Sequence, residues 1–183
     1  MMIPIHKFAG QDLLWTPSAA LKHQYELLAG ETVLATLDMS SWTTAAQAVT
    51  ADGSFVIKRE GFFRQQVMIR ATESSPILAT YTRGWGGGTL QFTDGRLFKW
   101  ENANFWGTKK AWKAMPDTCL VQFQNSPWTR DLLTRVEIEA ILLPEHPLLV
   151  ILGFYITLLT DTPRYEYTGV LPSSRRLATR HHW

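Results

Sequence analysis

PLLVILGFYITLL, residues Pro147 to Leu159, is the longest uninterrupted apolar run in the chain. It carries no charge, and Thr157 is its one polar side chain. A helix that is apolar on every face has to be enclosed by protein or by lipid, because no side of it can face water. Spanning a bilayer takes about 20 apolar residues. This run is shorter, with Pro144, Glu145 and His146 before it and Asp161 and Pro163 after it. A charge at the bilayer centre costs about 2.5–3.5 kcal/mol, so extension in either direction is unfavourable. The expectation is a helix from Pro147 to about Thr160, buried inside protein, with Pro147 at the first helical position where its missing N–H costs nothing. A membrane-anchored protein that uses 147–159 as a short span is the competing expectation. It rests on the basic tail as a positive-inside flank.

The enclosing protein has to come from the rest of the chain, which reads as short strands. Leu13–Trp15 is a first strand, ended by Thr16-Pro17-Ser18. Gln24–Leu28 and Thr32–Met39 flank Ala29-Gly30-Glu31, a hairpin signal. Trp42–Thr50 is ambiguous with a helical turn, but its flanks and the Asp52-Gly53 turn favour a strand. Ser54–Arg59 and Phe62–Ala71 bracket Glu60-Gly61, and the second alternates, with Phe63, Val67 and Ile69 opposite Arg64, Gln66 and Arg70. A period of two marks a half-buried strand. Pro76–Thr82 follows, then Thr89–Thr93 and Arg96–Glu101 around Asp94-Gly95, and Phe105–Ala114 and Thr118–Gln124 around Met115-Pro116-Asp117. A polar loop spans Asn125–Arg130. The last strand is expected over Arg135–Leu143, with Val136, Ile138, Ala140 and Leu142 facing one way and Arg135, Glu137 and Glu139 the other.

About twelve antiparallel strands can close into a barrel and so remove every sheet edge. Eight strands leave an interior that side chains fill, and sixteen or more leave a channel. Twelve fall between, with room for a helix about 10 Å across. The fold class is therefore mostly β: a closed antiparallel barrel around a hydrophobic C-terminal central helix. Gly153 would let one wall approach that helix closely. The chain reads as a single domain, 1–183: a loosely attached arm over 1–10, barrel strands over 13–143, the central helix over 147–160 and a polar basic tail over 164–183.

Composition agrees with a globular protein. Hydrophobic residues make up 45% and charged residues 19%, and the net charge is only +2. That excess is too small to indicate nucleic acid, for which a concentrated basic face is needed. Eight Trp suggest a wide, heavily filled interior. The single Cys119 excludes an internal disulfide and fits a reducing compartment. The N-terminus lacks a signal-peptide pattern, which makes the cytoplasm the expected location.

The order of short strands over some 130 residues followed by an apolar helix, and the local run RVEIEAILLPEHPLLVILGFYITLL, resemble the tubby C-terminal-like superfamily. That group includes the tubby proteins, the phospholipid scramblases and the LURP-one-related proteins. The resemblance covers roughly Leu13 to Thr160 and implies a non-enzymatic binding module for an anionic lipid or a membrane surface. The cysteine run of the scramblases and their acidic metal-binding segment have no counterpart here, so no calcium site is implied. The phosphoinositide-binding pattern of the tubby proteins does not map onto named positions, and no site residue is carried over.

Five groups of residues bear on chemistry. Gly84-Trp85-Gly86-Gly87-Gly88 could cradle an anion with its N–H groups, but no helix or Lys-Ser/Thr pair follows, and a flexible turn between Thr82 and Thr89 is the plainer reading. Lys99, Lys109, Lys110 and Lys113 interleave with Trp100, Trp106 and Trp112. On a strand from Phe105, Lys109 and Lys113 share a face with Phe105, and Lys110 shares the other with Trp106 and Trp112. Lys99, Lys109, Lys110, Lys113, Trp106 and Trp112 form a candidate surface for an anionic ligand; the plainer reading is a solvated face with long side chains covering apolar neighbours. Glu137 and Glu139 share a strand face but lack an opposed acid. His6, His23, His146, His181 and His182 show no ligand spacing apart from the weak C-terminal pair, and His146 reads as a helix-terminus residue. Cys119 reads as a buried small hydrophobe. No catalytic, cofactor or metal residue is assigned. Besides the binding module, an enzyme with a loop-built site at the barrel mouth remains open.

Overall fold

The computed structural model describes residues 2–18, 23–40, 45–60, 66–125 and 132–160. Residues 42–44 and 62–65 of two predicted strands, the 126–130 part of the polar loop and the tail 164–183 lie outside the described residues. Twelve strands form one closed antiparallel barrel. In chain order they are β1 Asp12–Pro17, β2 Gln24–Ala29, β3 Thr32–Met39, β4 Ala46–Thr50, β5 Gly53–Glu60, β6 Gln66–Arg70, β7 Ile77–Gly84, β8 Gly87–Phe92, β9 Leu97–Asn102, β10 Lys109–Ala114, β11 Thr118–Asn125 and β12 Leu132–Val136. Each pairs with its sequence neighbours, and β1 pairs with β12 (Asp12 opposite Arg135, Trp15 opposite Leu132) to close the ring. The register slips between Leu27 and Leu28, Ile69 and Arg70, and Trp112 and Lys113. Such bulges sharpen the local twist and help a sheet to curl.

The helix α1, His146–Thr160, runs through the barrel and is about 22 Å long. It starts one residue earlier than predicted, and every residue from His146 to Leu158 is buried. The enclosing wall is protein: Trp15, Leu37, Ile57, Ile69, Tyr81, Trp112 and Phe123 all point inward in the same buried core. Among the described residues no helix is long and apolar enough to cross a membrane. Thr157, the polar residue of the run, donates its hydroxyl proton to the Gly153 carbonyl at 2.8 Å, so burial leaves it with a partner.

Gly153 does what its position suggested. A Cβ built there would lie 2.3 Å from Phe123 Cζ and 2.9 Å from Trp112 Nε1, both on buried rings. Gly153→Ala gains about 1 kcal/mol of helix propensity but overpacks two locked rings, a cost of about 1–3 kcal/mol that this double clash puts at its upper end. The expected result is a net loss of about 1–2 kcal/mol in urea unfolding; a more stable variant would show that the wall can yield.

Two predicted segments differ. Residues 1–10 are not a loose arm, because Ile5 is fully buried and a one-turn 3-10 helix, Ile5–Phe8, covers the end where α1 enters. Ile3 and Phe8 pack on the core. Gly10 N–H donates to the Val136 carbonyl at 2.8 Å, and the Arg135 guanidinium donates to the Gly10 carbonyl at 2.8 Å. An open barrel end would leave the start of an apolar helix wet, and this segment closes it. The strand over Arg135–Leu143 is also shorter than predicted. It ends at Val136, and Ile138–Leu142 is a second 3-10 helix. With a period near three, Ala140 is buried while Ile138 and Leu142 face solvent. The chain has to leave the wall here to turn under the barrel and into α1, and alternation cannot persist through that turn.

Candidate functional site

The barrel has a helix-entry end, where Glu145 precedes α1, and a helix-exit end at Thr160. At the entry end Arg96, Asp94 and Glu145 form an ion cluster. Both carboxylates hold the Arg96 proton and raise its pKa, and Arg96 holds the Asp94 carboxyl below its ordinary range. This cluster anchors the helix start, where a carboxylate also suits the helix dipole.

The exit end carries two adjacent hairpin tips. β7 and β8 meet at Gly84–Gly87, leaving Trp85 and Gly86 as a two-residue turn. Gly86 has φ +78°, the left-handed region, and a Cβ on Gly87 would lie 2.0 Å from the Trp100 carbonyl oxygen. Gly88 leaves room for the Tyr81 ring, whose hydroxyl donates to the Gly87 carbonyl at 3.3 Å. Burial pushes the Tyr81 pKa up to about 12, with Arg83 partly offsetting it. The glycine run is thus a tight, packed hairpin rather than a flexible turn from Thr82 to Thr89. Gly87 and Gly88 are paired with strands on both sides, so they do not form an anion cradle.

The second tip joins β9 to β10. The predicted strand over Phe105–Ala114 begins only at Lys109, because Asn104 and Gly107 (φ +66°) close a turn first. Asn104 Oδ1 accepts from Lys109 N–H at 3.1 Å, and its Nδ2 donates to Thr108 Oγ1 at 2.7 Å. This ties the base of the loop and leaves Phe105 and Trp106 at its crest, edge to face with ring centroids 5.5 Å apart. Trp85, Phe105 and Trp106 are 106%, 93% and 80% exposed, at a cost in hydration that no packing offsets.

Cations border these tips. Lys109 follows the second one directly, and Lys110 reaches into the barrel mouth, its Nζ 3.3 Å from Thr160 Oγ1. That position faces the negative end of the α1 dipole. Arg83 and Arg59 border a small recess with Tyr81, Ile156 and Leu159. Of the predicted surface residues, Trp106 lies on the second tip, and Lys109 and Lys110 open the strand that follows it. Trp112 instead points inward and is buried beside Trp100, with centroids 5.0 Å apart. Lys113 pairs with Glu101 at 2.8 Å and Asp117 at 2.9 Å, and Lys99 lies on the outer wall away from the tips. The sequence names Phe105 only as a face-mate of Lys109 and Trp85 only within the glycine run, and it does not single out Arg83. The available signal was an aromatic residue set among turn formers, in RGWGGG and NANFWG, where no strand exists to turn it inward.

The remaining groups separate. Glu137 accepts from Gln122 Nε2 at 2.8 Å, while Glu139 sits on the 3-10 helix, so they do not share a strand face. Cys119 is half-buried, and burial, followed by the Glu137 charge, raises its pKa, which keeps the thiol protonated at neutral pH. A cleft of about 660 Å³ beside β3, β4 and β5 is lined by Asp38, Ser40, Gln47, Lys58, Glu60 and Glu73, among others. Lys58 and Glu73 are ion-paired there. Comparison of the chain with protein-family models, with curated proteins and with solved structures finds no match.

Proposed function

We propose that this chain is a non-enzymatic β-barrel binding module that docks its helix-exit end on an anionic lipid surface. The observation that carries the reading is the exposure of Trp85, Phe105 and Trp106 on neighbouring hairpin tips. Aromatic residues with apolar faces are favoured at the headgroup level of a bilayer. Arg83, Lys109 and Lys110 on the same end supply the charge that anionic headgroups attract, about 1 kcal/mol per cation near the surface. The helix ends there, and the sequence that follows carries Arg164, Arg175, Arg176 and Arg180 against two acids, Asp161 and Glu166. The entry end also exposes Ile138 and Leu142, but Glu137 and Glu139 beside them repel an anionic surface. The barrel-then-helix order that resembles the tubby C-terminal-like superfamily supports the same reading.

The test is co-sedimentation with phosphatidylserine-containing and neutral vesicles. Binding is expected to the anionic vesicles at low salt and to fall as screening increases. The double variant Arg83→Ala/Lys109→Ala should lose roughly 30-fold in affinity, and Trp85→Ala/Trp106→Ala should lose binding without loss of fold. Absence of binding at low salt overturns the proposal. A second reading, an enzyme with a loop-built site at the barrel mouth, draws on the cleft beside Asp38 and Glu60. Turnover of a small substrate by a chain that ignores vesicles would favour it instead.

A further inference from the structure

At the helix-entry end, three metal-ligating side chains converge from distant parts of the chain. His6 comes from the 3-10 turn that covers the barrel, Asp52 from the turn between β4 and β5, and His146 from the first turn of α1. One ligand atom of each lies within 4.8 Å of the other two. His146 is 5% exposed, and its two ring nitrogens are not equivalent. Nδ1 lies 2.8 Å from the Leu143 carbonyl oxygen. A carbonyl only accepts, so Nδ1 carries the proton. In the neutral ring Nε2 is then a bare lone pair, and it is buried with no hydrogen-bond partner. Buried polar atoms are rarely left unpaired, and an imidazole whose N–H is held by a backbone carbonyl is oriented as metal-ligating histidines are.

The other two side chains are placed by local structure. The His6 ring stands edge-on to that of His146, with centroids 5.9 Å apart. Asp52 N–H donates to Thr50 Oγ1 at 3.1 Å, and that hydroxyl donates to the Gly53 carbonyl at 3.1 Å. These two bonds hold the turn that presents the Asp52 carboxylate.

We propose that His6, Asp52 and His146 form a binding site for a divalent first-row transition metal ion of the zinc type. Two imidazoles and one carboxylate suit such an ion, whereas magnesium and calcium favour oxygen ligands alone. Metal bonds of about 2.0–2.2 Å place tetrahedral ligand atoms roughly 3.3–3.6 Å apart. The present spacing reaches that by a closure of roughly 1.5 Å at most. His6 and Asp52 reach solvent and have the freedom to make it, while His146 stays fixed by the helix. The bound ion staples the N-terminal cover, the β4–β5 turn and the helix start to one another, and its fourth position is left for water.

The test is titration of the metal-free full chain with zinc chloride by calorimetry, together with thermal unfolding. One zinc per chain is expected, with the unfolding midpoint raised by roughly 5–10 °C when free zinc is about 100 times Kd. His6→Ala and Asp52→Asn change solvent-facing side chains and leave the barrel folded. Each should weaken binding by at least about 10–100-fold and remove the thermal gain. His146→Gln removes the buried ligand at risk to the fold, so the decision rests on the first two. No stoichiometric zinc binding, or binding and thermal gain unchanged in either variant, overturns the site; the second outcome would move the zinc elsewhere, such as to His181 and His182.

Discussion

Leu152→Lys is expected to abolish folding. Leu152 has no exposed surface and lies at the middle of α1. Losing its buried side chain costs about 2–5 kcal/mol, as for Leu→Ala. An unpaired ammonium enclosed by an apolar wall adds several kcal/mol more after relaxation. Domain stabilities are about 5–15 kcal/mol, so the sum consumes most or all of it. Circular dichroism and size-exclusion chromatography of the variant should report an unfolded or aggregated chain. Leu152→Met, which conserves volume and polarity, should fold with a loss under about 1.5 kcal/mol. A soluble, natively folded Leu152→Lys protein would mean that α1 is not enclosed. A membrane span would instead give a folded protein that fails to partition into membranes.

Phe154→Ala carries the second large effect. The Phe154 ring stacks on Trp15 with centroids 4.2 Å apart and planes at 3°, and Tyr25 meets it edge-on at 5.2 Å. Phe154 and Trp15 are each only 1% exposed. Truncating a buried Phe costs about 3–5 kcal/mol, of which about 0.5–1.5 kcal/mol belongs to the aromatic geometry. The loss falls on β1, the strand that closes the ring with β12. A lower urea midpoint with an unchanged m-value is therefore expected, together with faster amide exchange along β1 and β12 than along β7 and β8. A loss below about 1 kcal/mol would show that the stack adds little to closure.

Much of the fold was legible because its signals are local. Asp52-Gly53 and Asp94-Gly95 lie at the turns between β4 and β5 and between β8 and β9, and Ala29-Gly30-Glu31 at that between β2 and β3. Alternation in Gln66–Arg70 matched its burial, with Val67 and Ile69 inward. The errors came where a tertiary demand overrode a local pattern. Ile138, Ala140 and Leu142 alternate as a strand would, yet the chain has to turn under the barrel there. Ile5 sits in a segment with no strand partner, yet it covers an end that only exists once the ring closes.

The candidate sites were less legible for the same reason. Parity correctly put Lys110 with Trp112, but it could not reveal that their shared face is the interior. Trp85 and Phe105 became exposed through Gly86 and Asn104, whose turns outrank the hydrophobicity of their neighbours. The histidines show no ligand spacing because the spacing that counts is spatial.

From the residues alone came the strand-rich chain, most of its turns and a helix too short and too closely flanked by charge and proline to cross a bilayer. Hairpin chemistry and hydrophobic period act over a few positions, so they are written in the chain. The folded barrel decided which strand faces look inward, what covers its ends, and that His6, Asp52 and His146 meet. Those outcomes follow from ring closure and register, which join residues as far apart as His6 and His146 and leave no trace in local spacing.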